Sequence, residues 1–136
     1  MDPRLRRACA ALIGACALFT ASWVIAERGS AQSDLIDAPS RTLVAPQRAT
    51  VASVASHGAR AIGVGPRGLI VLSDDGGTSW RQVRSPVSTD LTTVRFTDTG
   101  VVWAVGHDAV ALRSTDNGVS WERVLDGRLM LTLLRE

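Results

Sequence analysis

The strongest candidates for catalytic or ligand-binding side chains in this sequence belong to a short pattern that occurs twice. Each copy reads Ser-x-Asp-x-Gly-x-Ser-Trp, and the copies consist of Ser73, Asp75, Gly77, Ser79 and Trp80, and of Ser114, Asp116, Gly118, Ser120 and Trp121. The aspartates could ligate a metal, act as catalytic acids, or accept hydrogen bonds from the backbone of a turn. A calcium loop needs further acidic positions and a terminal glutamate, which neither copy has. The pattern therefore favours a structural turn, in which glycine is left-handed and the tryptophan ring packs under the hairpin.

Other residues with catalytic or ligand-binding potential give weaker signals. His57 and His107 each lie in a predicted turn, and no serine lies in a nucleophile-elbow sequence. Gly63, Gly65 and Gly68 have the spacing of a dinucleotide-binding loop, but a strand and not a helix is predicted after them. We therefore predict no catalytic residue, no bound metal and no cofactor.

The two patterns belong to a longer sequence repeat. Residues 62–80 align with residues 103–121 without a gap. The serine, aspartate, glycine and tryptophan of the pattern therefore recur at one constant spacing, which equals the spacing between Asp75 and Asp116. A period of about forty residues is typical of propeller blades. Within each period short β-rich runs alternate with turn residues, which predicts strands and no long helix.

The repeat predicts an all-β fold, a partial β-propeller of two four-stranded blades in residues 50–127. Strands are predicted near residues 50–55, 60–65, 69–73 and 80–84, and near residues 91–96, 101–106, 110–114 and 121–125. Stacked repeats generally need at least three units to bury a continuous core. We therefore expect the front part of a longer propeller, or a chain that completes its core by self-association or with another protein.

One turn of the second unit departs from the first. Ala109 stands where the first unit has Gly68. This turn must therefore avoid a positive φ, or accept a strain of roughly 1 kcal/mol.

The sequence of residues 1–26 predicts an N-terminal helix that serves as a signal peptide or as a membrane anchor. A cationic head, residues 1–7, precedes an uncharged run, residues 8–26, and Val24-Ile25-Ala26 fits a signal peptidase. The length of this run is also about sufficient to cross the hydrocarbon core of a bilayer as a helix, so an uncleaved anchor is the alternative. In both cases we expect an exported chain, either periplasmic or anchored to the membrane by residues 8–26.

The charge balance disfavours a nucleic-acid-binding protein. The chain has 15 basic and 13 acidic residues, but residues 27–136 carry equal numbers of the two. A nucleic-acid binder normally carries a basic stripe on its folded part. Six arginines could form a patch for an acidic partner, but nearby carboxylates favour a mixed, solvated surface. These arginines are Arg67, Arg81, Arg84, Arg95, Arg113 and Arg123.

Two segments flank the predicted blades. Residues 27–49 are rich in serine, proline and glycine without a sustained period, which predicts an extended linker. Residues 128–136 form a tail in which leucines and a methionine share one side of a possible helix, although an exposed strand fits equally well.

The repeated pattern resembles the Asp-box, the hairpin motif of sialidase-type (BNR) repeats. A wider pattern adds Gly63-Val64-Gly65, then Leu91, Val94 and Phe96, and then Trp103-Ala104-Val105-Gly106. This wider pattern resembles the photosystem II assembly/stability factor-like repeat family over residues 50–127. The resemblance implies an exported β-propeller that acts as an assembly factor or scaffold for a membrane-protein subunit in photosynthesis. The chain lacks most of the blades that a member should have.

We therefore expect a non-catalytic, exported scaffold that binds a protein partner, for which a membrane-protein subunit is the candidate, and no nucleic acid. The alternative is a fragment of a sialidase-like glycosyl hydrolase, because the Asp-box also occurs there. That chemistry uses a tyrosine nucleophile, and this sequence contains no tyrosine.

Overall fold

A computed structural model describes residues 34–135, and the predicted targeting segment, residues 1–26, lies outside this range. The described residues contain eight strands, two short 3-10 turns and one helix. The strands are β1 Ser53–His57, β2 Arg60–Val64, β3 Ile70–Ser73, β4 Arg81–Val83, β5 Leu91–Phe96, β6 Val102–Gly106, β7 Ala111–Ser114 and β8 Glu122–Leu125. The 3-10 turns are Pro46–Arg48 and Pro66–Gly68, and the helix, α1, is Gly127–Leu133.

The strands form two antiparallel sheets, each a meander of four consecutive strands. The sheet orders are β1-β2-β3-β4, called blade 1, and β5-β6-β7-β8, called blade 2. This arrangement confirms the predicted all-β fold class, a partial propeller of two four-stranded blades. All eight predicted strands are present. β1, predicted near residues 50–55, lies later in the sequence, at Ser53–His57, and the ends of the other strands agree with the predicted ones to within one residue.

Each blade has a rear face and a front face, because side chains alternate across a strand. The rear face of blade 1 consists of Ile62, Val64, Ile70 and Leu72, which are all fully buried. The front face of blade 1 carries Val54, Gly63 and Val71, which pair with one another across β1, β2 and β3. In blade 2 the matching front-face positions are Val94, Ala104 and Leu112, and the rear face carries Trp103, Val105, Ala111 and Arg113.

The hydrophobic core lies between the rear face of blade 1 and the front face of blade 2. Val94, Ala104 and Leu112 are fully buried there. At the end of the contact the His57 ring stacks on the Phe96 ring, with centroids 5.8 Å apart. Burying one valine, leucine or isoleucine side chain contributes about 1.5–3 kcal/mol, so the side chains of this contact stabilise the fold substantially.

The part of the predicted linker that the structure describes, residues 34–49, is irregular but packs against both blades. Ile36 is buried in the core. The Gln82 side chain accepts a hydrogen bond from the N–H of Leu43 and donates one to the carbonyl oxygen of Arg41, each at 2.7 Å. This side chain thereby fixes the segment along the edge of blade 1.

The start of the same segment is held by two arginines from the far end of the chain. Arg128 lies 2.7 Å from Asp34 and 2.9 Å from Asp37, and Arg123 lies 3.0 Å from Asp37. We call these four residues the clasp. The clasp connects the segment to blade 2 and to α1.

The tail begins as helix α1, and not as the exposed strand that its sequence also allowed. Asp126 caps α1, because its Oδ1 atom accepts hydrogen bonds from the N–H groups of Arg128, at 2.9 Å, and Leu129, at 3.0 Å. The apolar side chains of α1, including Met130, are exposed. Within residues 34–135 no helix is long and apolar enough to cross a membrane.

Candidate functional site

The first Asp-box turn joins β3 to β4 and is closed by the carboxylate of Asp75. Its Oδ1 atom accepts hydrogen bonds from the Ser73 hydroxyl, at 2.7 Å, and the Ser79 N–H, at 2.8 Å, and its Oδ2 atom accepts one from the Ser79 hydroxyl, at 2.5 Å. Ser73 Oγ accepts from the Gly77 N–H at 2.8 Å, and Trp80 Nε1 donates to the Gly77 carbonyl at 2.9 Å. Both carboxylate oxygens are therefore engaged inside the turn.

The second turn, between β7 and β8, repeats these five hydrogen bonds with Ser114, Asp116, Gly118, Ser120 and Trp121. The shortest, from the Ser120 hydroxyl to Asp116 Oδ2, is 2.5 Å long, as in the first turn. The turns differ in their surroundings. Trp121 is only 9% exposed because its ring belongs to the core between the blades. Its counterpart Trp80 is half-buried at the front face of blade 1.

Hydrogen bonds within the turns lower the pKa of both box aspartates. At Asp75 the Ser79 hydroxyl contributes most, followed by the Ser79 N–H, and the pKa falls from 3.8 to about 2. At Asp116 partial burial raises the pKa, but the hydrogen bonds from Ser120 and Ser114 outweigh it, and the pKa is again about 2. The folded chain therefore favours the ionised form of both groups.

We expect the stability of the chain to fall as the pH drops from about 4 to about 2. Because the folded-state pKa of each box aspartate lies below its unfolded value, the contribution is complete above pH 3.8 and is lost as the pH falls through about 2. Melting temperatures measured between these pH values check this. Asp75→Asn with Asp116→Asn cannot titrate at these positions, so this variant should lose part of the slope. An unchanged slope would assign the effect to other carboxylates.

The remaining sequence candidates do not form a site with the boxes. The prediction that His57 lies in a turn is wrong, because His57 is the last residue of β1 and its ring packs on Phe96. His107 lies in the β6–β7 turn, as predicted. Gly63, Gly65 and Gly68 are followed by strand β3, so no helix N-terminus faces them. Among residues 34–135 no group of three or more His, Cys, Asp or Glu side chains is placed to hold a metal ion.

Half of the six arginines considered for a basic patch are in ion pairs. Arg113 lies 2.6 Å from Glu122, Arg81 lies 3.8 Å from Asp74, and Arg123 belongs to the clasp. These pairs produce the mixed surface that the sequence favoured.

Arg67 instead lines the same surface hollows as Arg41, a linker residue that the sequence gave no reason to select. The two side chains line two adjoining hollows of about 380 and 260 Å³, which we call the arginine groove. Within the described part of the chain neither guanidinium forms an ion pair. The remaining lining is mostly apolar and includes Leu35, Pro39, Leu43, Pro66 and Leu69, with one carboxylate, Asp90.

A tight turn positions Arg67 in this groove. Arg67 has φ 57°, and its N–H donates to Asp90 Oδ1 at 2.8 Å. A left-handed conformation costs a non-glycine residue roughly 1–2 kcal/mol. The hydrogen bond to Asp90 helps to hold the arginine in this strained position. The groove therefore has a net positive charge beside an apolar floor.

Comparison with protein-family models and with curated proteins finds no match to this chain. Among solved structures, YCF48 from Cyanidioschyzon merolae is 28% identical over 55% of this chain and 26% of that chain, with a TM-score of 0.49. A structure of YCF48 bound to D1 peptide is 21% identical over 54% of this chain and 24% of that chain, with a TM-score of 0.48. This chain spans about a quarter of the length of these two chains and is similar to that part of YCF48.

Proposed function

We propose that this protein is a non-catalytic scaffold that binds an acidic segment of a protein partner in the arginine groove. The carrying observation is that Arg41 and Arg67, neither of them in an ion pair within the described residues, flank adjoining hollows with apolar lining. Arginine forms short, charge-assisted and often bidentate hydrogen bonds with carboxylates. An apolar floor beside such a group accommodates a neighbouring side chain of the ligand.

The proposal extends to a membrane-protein subunit as the partner, as the repeat-family resemblance implies. The second YCF48 structure holds a peptide. In this chain the groove is the feature that supports a peptide ligand.

The Asp-box turns support a structural role for their aspartates, and not a catalytic one. A catalytic acid must have a carboxyl oxygen available to its substrate. In both turns each oxygen of the aspartate already accepts a hydrogen bond from a serine of the same turn. The boxes are therefore better suited to hold the hairpins together than to donate a proton.

We expect Arg67→Asn to weaken peptide binding by about tenfold or more. Asparagine tolerates the left-handed turn, so this variant removes the guanidinium and keeps the backbone. A charge-assisted hydrogen bond contributes about 1.5–3 kcal/mol, and about 1.4 kcal/mol is a factor of ten. The probe is a fluorescein-labelled decapeptide of alternating leucine and aspartate, with binding followed by fluorescence anisotropy.

Two controls distinguish peptide binding in the arginine groove from nonspecific attraction between charges. Arg84→Gln removes an arginine that lines a different hollow and should leave the affinity within twofold. A decapeptide with asparagine in place of aspartate should bind at least tenfold more weakly than the acidic one. Equal binding of the two peptides, or equal losses in the Arg67 and Arg84 variants, would contradict the proposal.

The proposal includes export, for which the sequence of residues 1–26 is the support. We expect the mature chain to begin at Glu27, because Val24-Ile25-Ala26 fits the peptidase site. Amino-terminal sequencing of the protein from the periplasm checks this. Ala26→Leu should block cleavage and leave the chain at the membrane. A full-length product in the cytosol would show that residues 1–26 are not a targeting segment.

A further inference from the structure

The two hollows of the arginine groove differ in the chemistry of their walls, and Arg41 and Arg67 line both of them. The smaller hollow, of about 260 Å³, has aliphatic walls that include Leu43 and Leu69, and we call it the apolar hollow. The larger, of about 380 Å³, contains a carboxylate, and we call it the Asp90 hollow. A ligand carboxylate bound by the two arginines therefore has a different environment on each side.

The apolar hollow offers a ligand mainly aliphatic carbon. The amide of Gln82, which also lines it, is already bound to the backbone of Arg41 and Leu43. Leu43 is 42% exposed, so part of its apolar surface remains available to a ligand. An apolar side chain that enters this hollow loses contact with water, which strengthens binding.

The Asp90 hollow offers a ligand a carboxylate beside aliphatic carbon. Within residues 34–135 Asp90 forms no ion pair, and only its Oδ1 atom accepts a hydrogen bond, from the Arg67 N–H at 2.8 Å. The Ser88 hydroxyl donates to the carbonyl oxygen of Leu35 at 3.3 Å, so towards a ligand it is an acceptor. Leu35 and Pro39 also line the hollow. A basic side chain fits this lining, with its methylene stem on the aliphatic wall and its charge near Asp90.

Backbone hydrogen bonds fix the positions of both hollows. The Asp90 carbonyl oxygen accepts from the His107 N–H at 2.9 Å, and the Leu91 N–H donates to the Gly65 carbonyl oxygen at 3.0 Å. On the other side of the groove Gln82 fixes the segment that carries Arg41. A ligand therefore meets preformed walls, which lowers the entropic cost of binding.

We propose that the arginine groove selects a peptide segment in which one acidic residue lies between an apolar residue and a basic residue. This inference rests on the proposed function, because it takes the acidic residue to be the one that binds Arg41 and Arg67. The apolar side chain then occupies the apolar hollow, and the basic side chain lies against Asp90. The charges of protein and ligand thereby alternate along the groove, and such complementarity contributes to specificity more than to affinity.

The apolar hollow is tested with a fluorescein-labelled heptapeptide amide, Gly-Ser-Leu-Asp-Lys-Ser-Gly. Its binding to the full-length chain in dodecyl maltoside is followed by fluorescence anisotropy. Glycine in place of the leucine should weaken binding to the wild type about fivefold to tenfold. Thr50→Phe fills the hollow from an exposed position and should reduce this loss to less than about twofold. Thr42→Phe, the same change at an exposed threonine of a different hollow, should leave the loss as in the wild type.

The Asp90 hollow is tested with norleucine in place of the lysine, which keeps the stem and removes the charge. This peptide should bind the wild type about threefold to fivefold more weakly, because the ion pair is partly exposed to solvent. Asp90→Asn keeps an oxygen for the Arg67 N–H and removes the carboxylate charge, so it should bind both peptides equally. Asp98→Asn, at an exposed aspartate between β5 and β6, should keep the preference of the wild type.

A peptide with asparagine in place of the aspartate distinguishes this inference from the proposed function. If it binds as tightly as the parent peptide, or if no peptide binds, both are wrong. The inference alone is wrong if the aspartate is required but the glycine and norleucine peptides bind the wild type as tightly as the parent. It is also wrong if both losses persist in the Thr50 and Asp90 variants. The peptide changes are measured on the wild type, so they remain decisive if circular dichroism shows that a variant is unfolded.

Discussion

Gly118→Ala is expected to destabilise the chain by about 3–4 kcal/mol, and Gly77→Ala, the same change in the other Asp-box turn, by only about 1–2 kcal/mol. Both glycines are left-handed, with φ 88° and 97°, so alanine costs about 1–2 kcal/mol at either position. A Cβ atom at Gly118 would also overlap Ile62 Cδ1, whereas a Cβ at Gly77 would lie 3.5 Å from the Trp80 ring. Urea unfolding of the two variants measures the difference.

A double-mutant cycle identifies the clash as the cause. Ile62→Val removes the Cδ1 atom and by itself costs about 0.5–1.5 kcal/mol. With Gly118→Ala this loss should be less than additive, because the overlapping atom is gone. Additive losses, or equal losses in the Gly118 and Gly77 variants, would contradict the inter-blade role of the second turn.

Gly68→Ala is expected to have a still larger effect, about 4 kcal/mol or more. Gly68 has φ 70°, and a Cβ atom there would overlap the carbonyl oxygen of Val87. Because this oxygen belongs to the backbone of the connection between the blades, it cannot rotate away as a side chain does. The free energy of unfolding should fall accordingly, or the variant should not fold.

Two substitutions provide matched controls for Gly68→Ala. Gly58→Ala introduces a left-handed alanine, at φ 61°, where no other atom lies within 4 Å, and should cost only about 1–2 kcal/mol. Ala109→Gly relieves a left-handed alanine, at φ 54°, in the repeat-equivalent turn. Relief of about 1 kcal/mol is offset by the entropy of glycine, so the stability should stay within about 0.5 kcal/mol of the wild type. A loss at Gly58 as large as that at Gly68 would refute the overlap.

The two blades could be predicted because their signals are local. Strand ends follow turn residues, and the constant repeat period fixes which strands belong together. For the turn at Ala109 the sequence predicts one of two outcomes, an avoided positive φ or a strained positive φ. The structure adopts the strained form, at φ 54°, because the two hairpins share one turn geometry.

The arginine groove could not be predicted, because its parts come together only in the folded chain. Arg41 lies in a segment without periodicity, and Arg67 lies in a turn that is distant in sequence. Arg113 pairs with Glu122 because the two residues lie opposite each other in β7 and β8, a register that the predicted strand bounds did not specify. The helical tail depends on the cap at Asp126, which precedes the segment predicted as the tail.

The clasp determines the order in which the molecule can be assembled. Its hydrogen bonds join residues 86 positions apart, Asp37 and Arg123, and 94 positions apart, Asp34 and Arg128. A chain emerging from the ribosome can pair the strands of blade 1 early, because those contacts are local. The clasp must wait until Arg128 has been synthesised, so the start of the segment, residues 34–37, is translated before the blades but makes its clasp contacts after them.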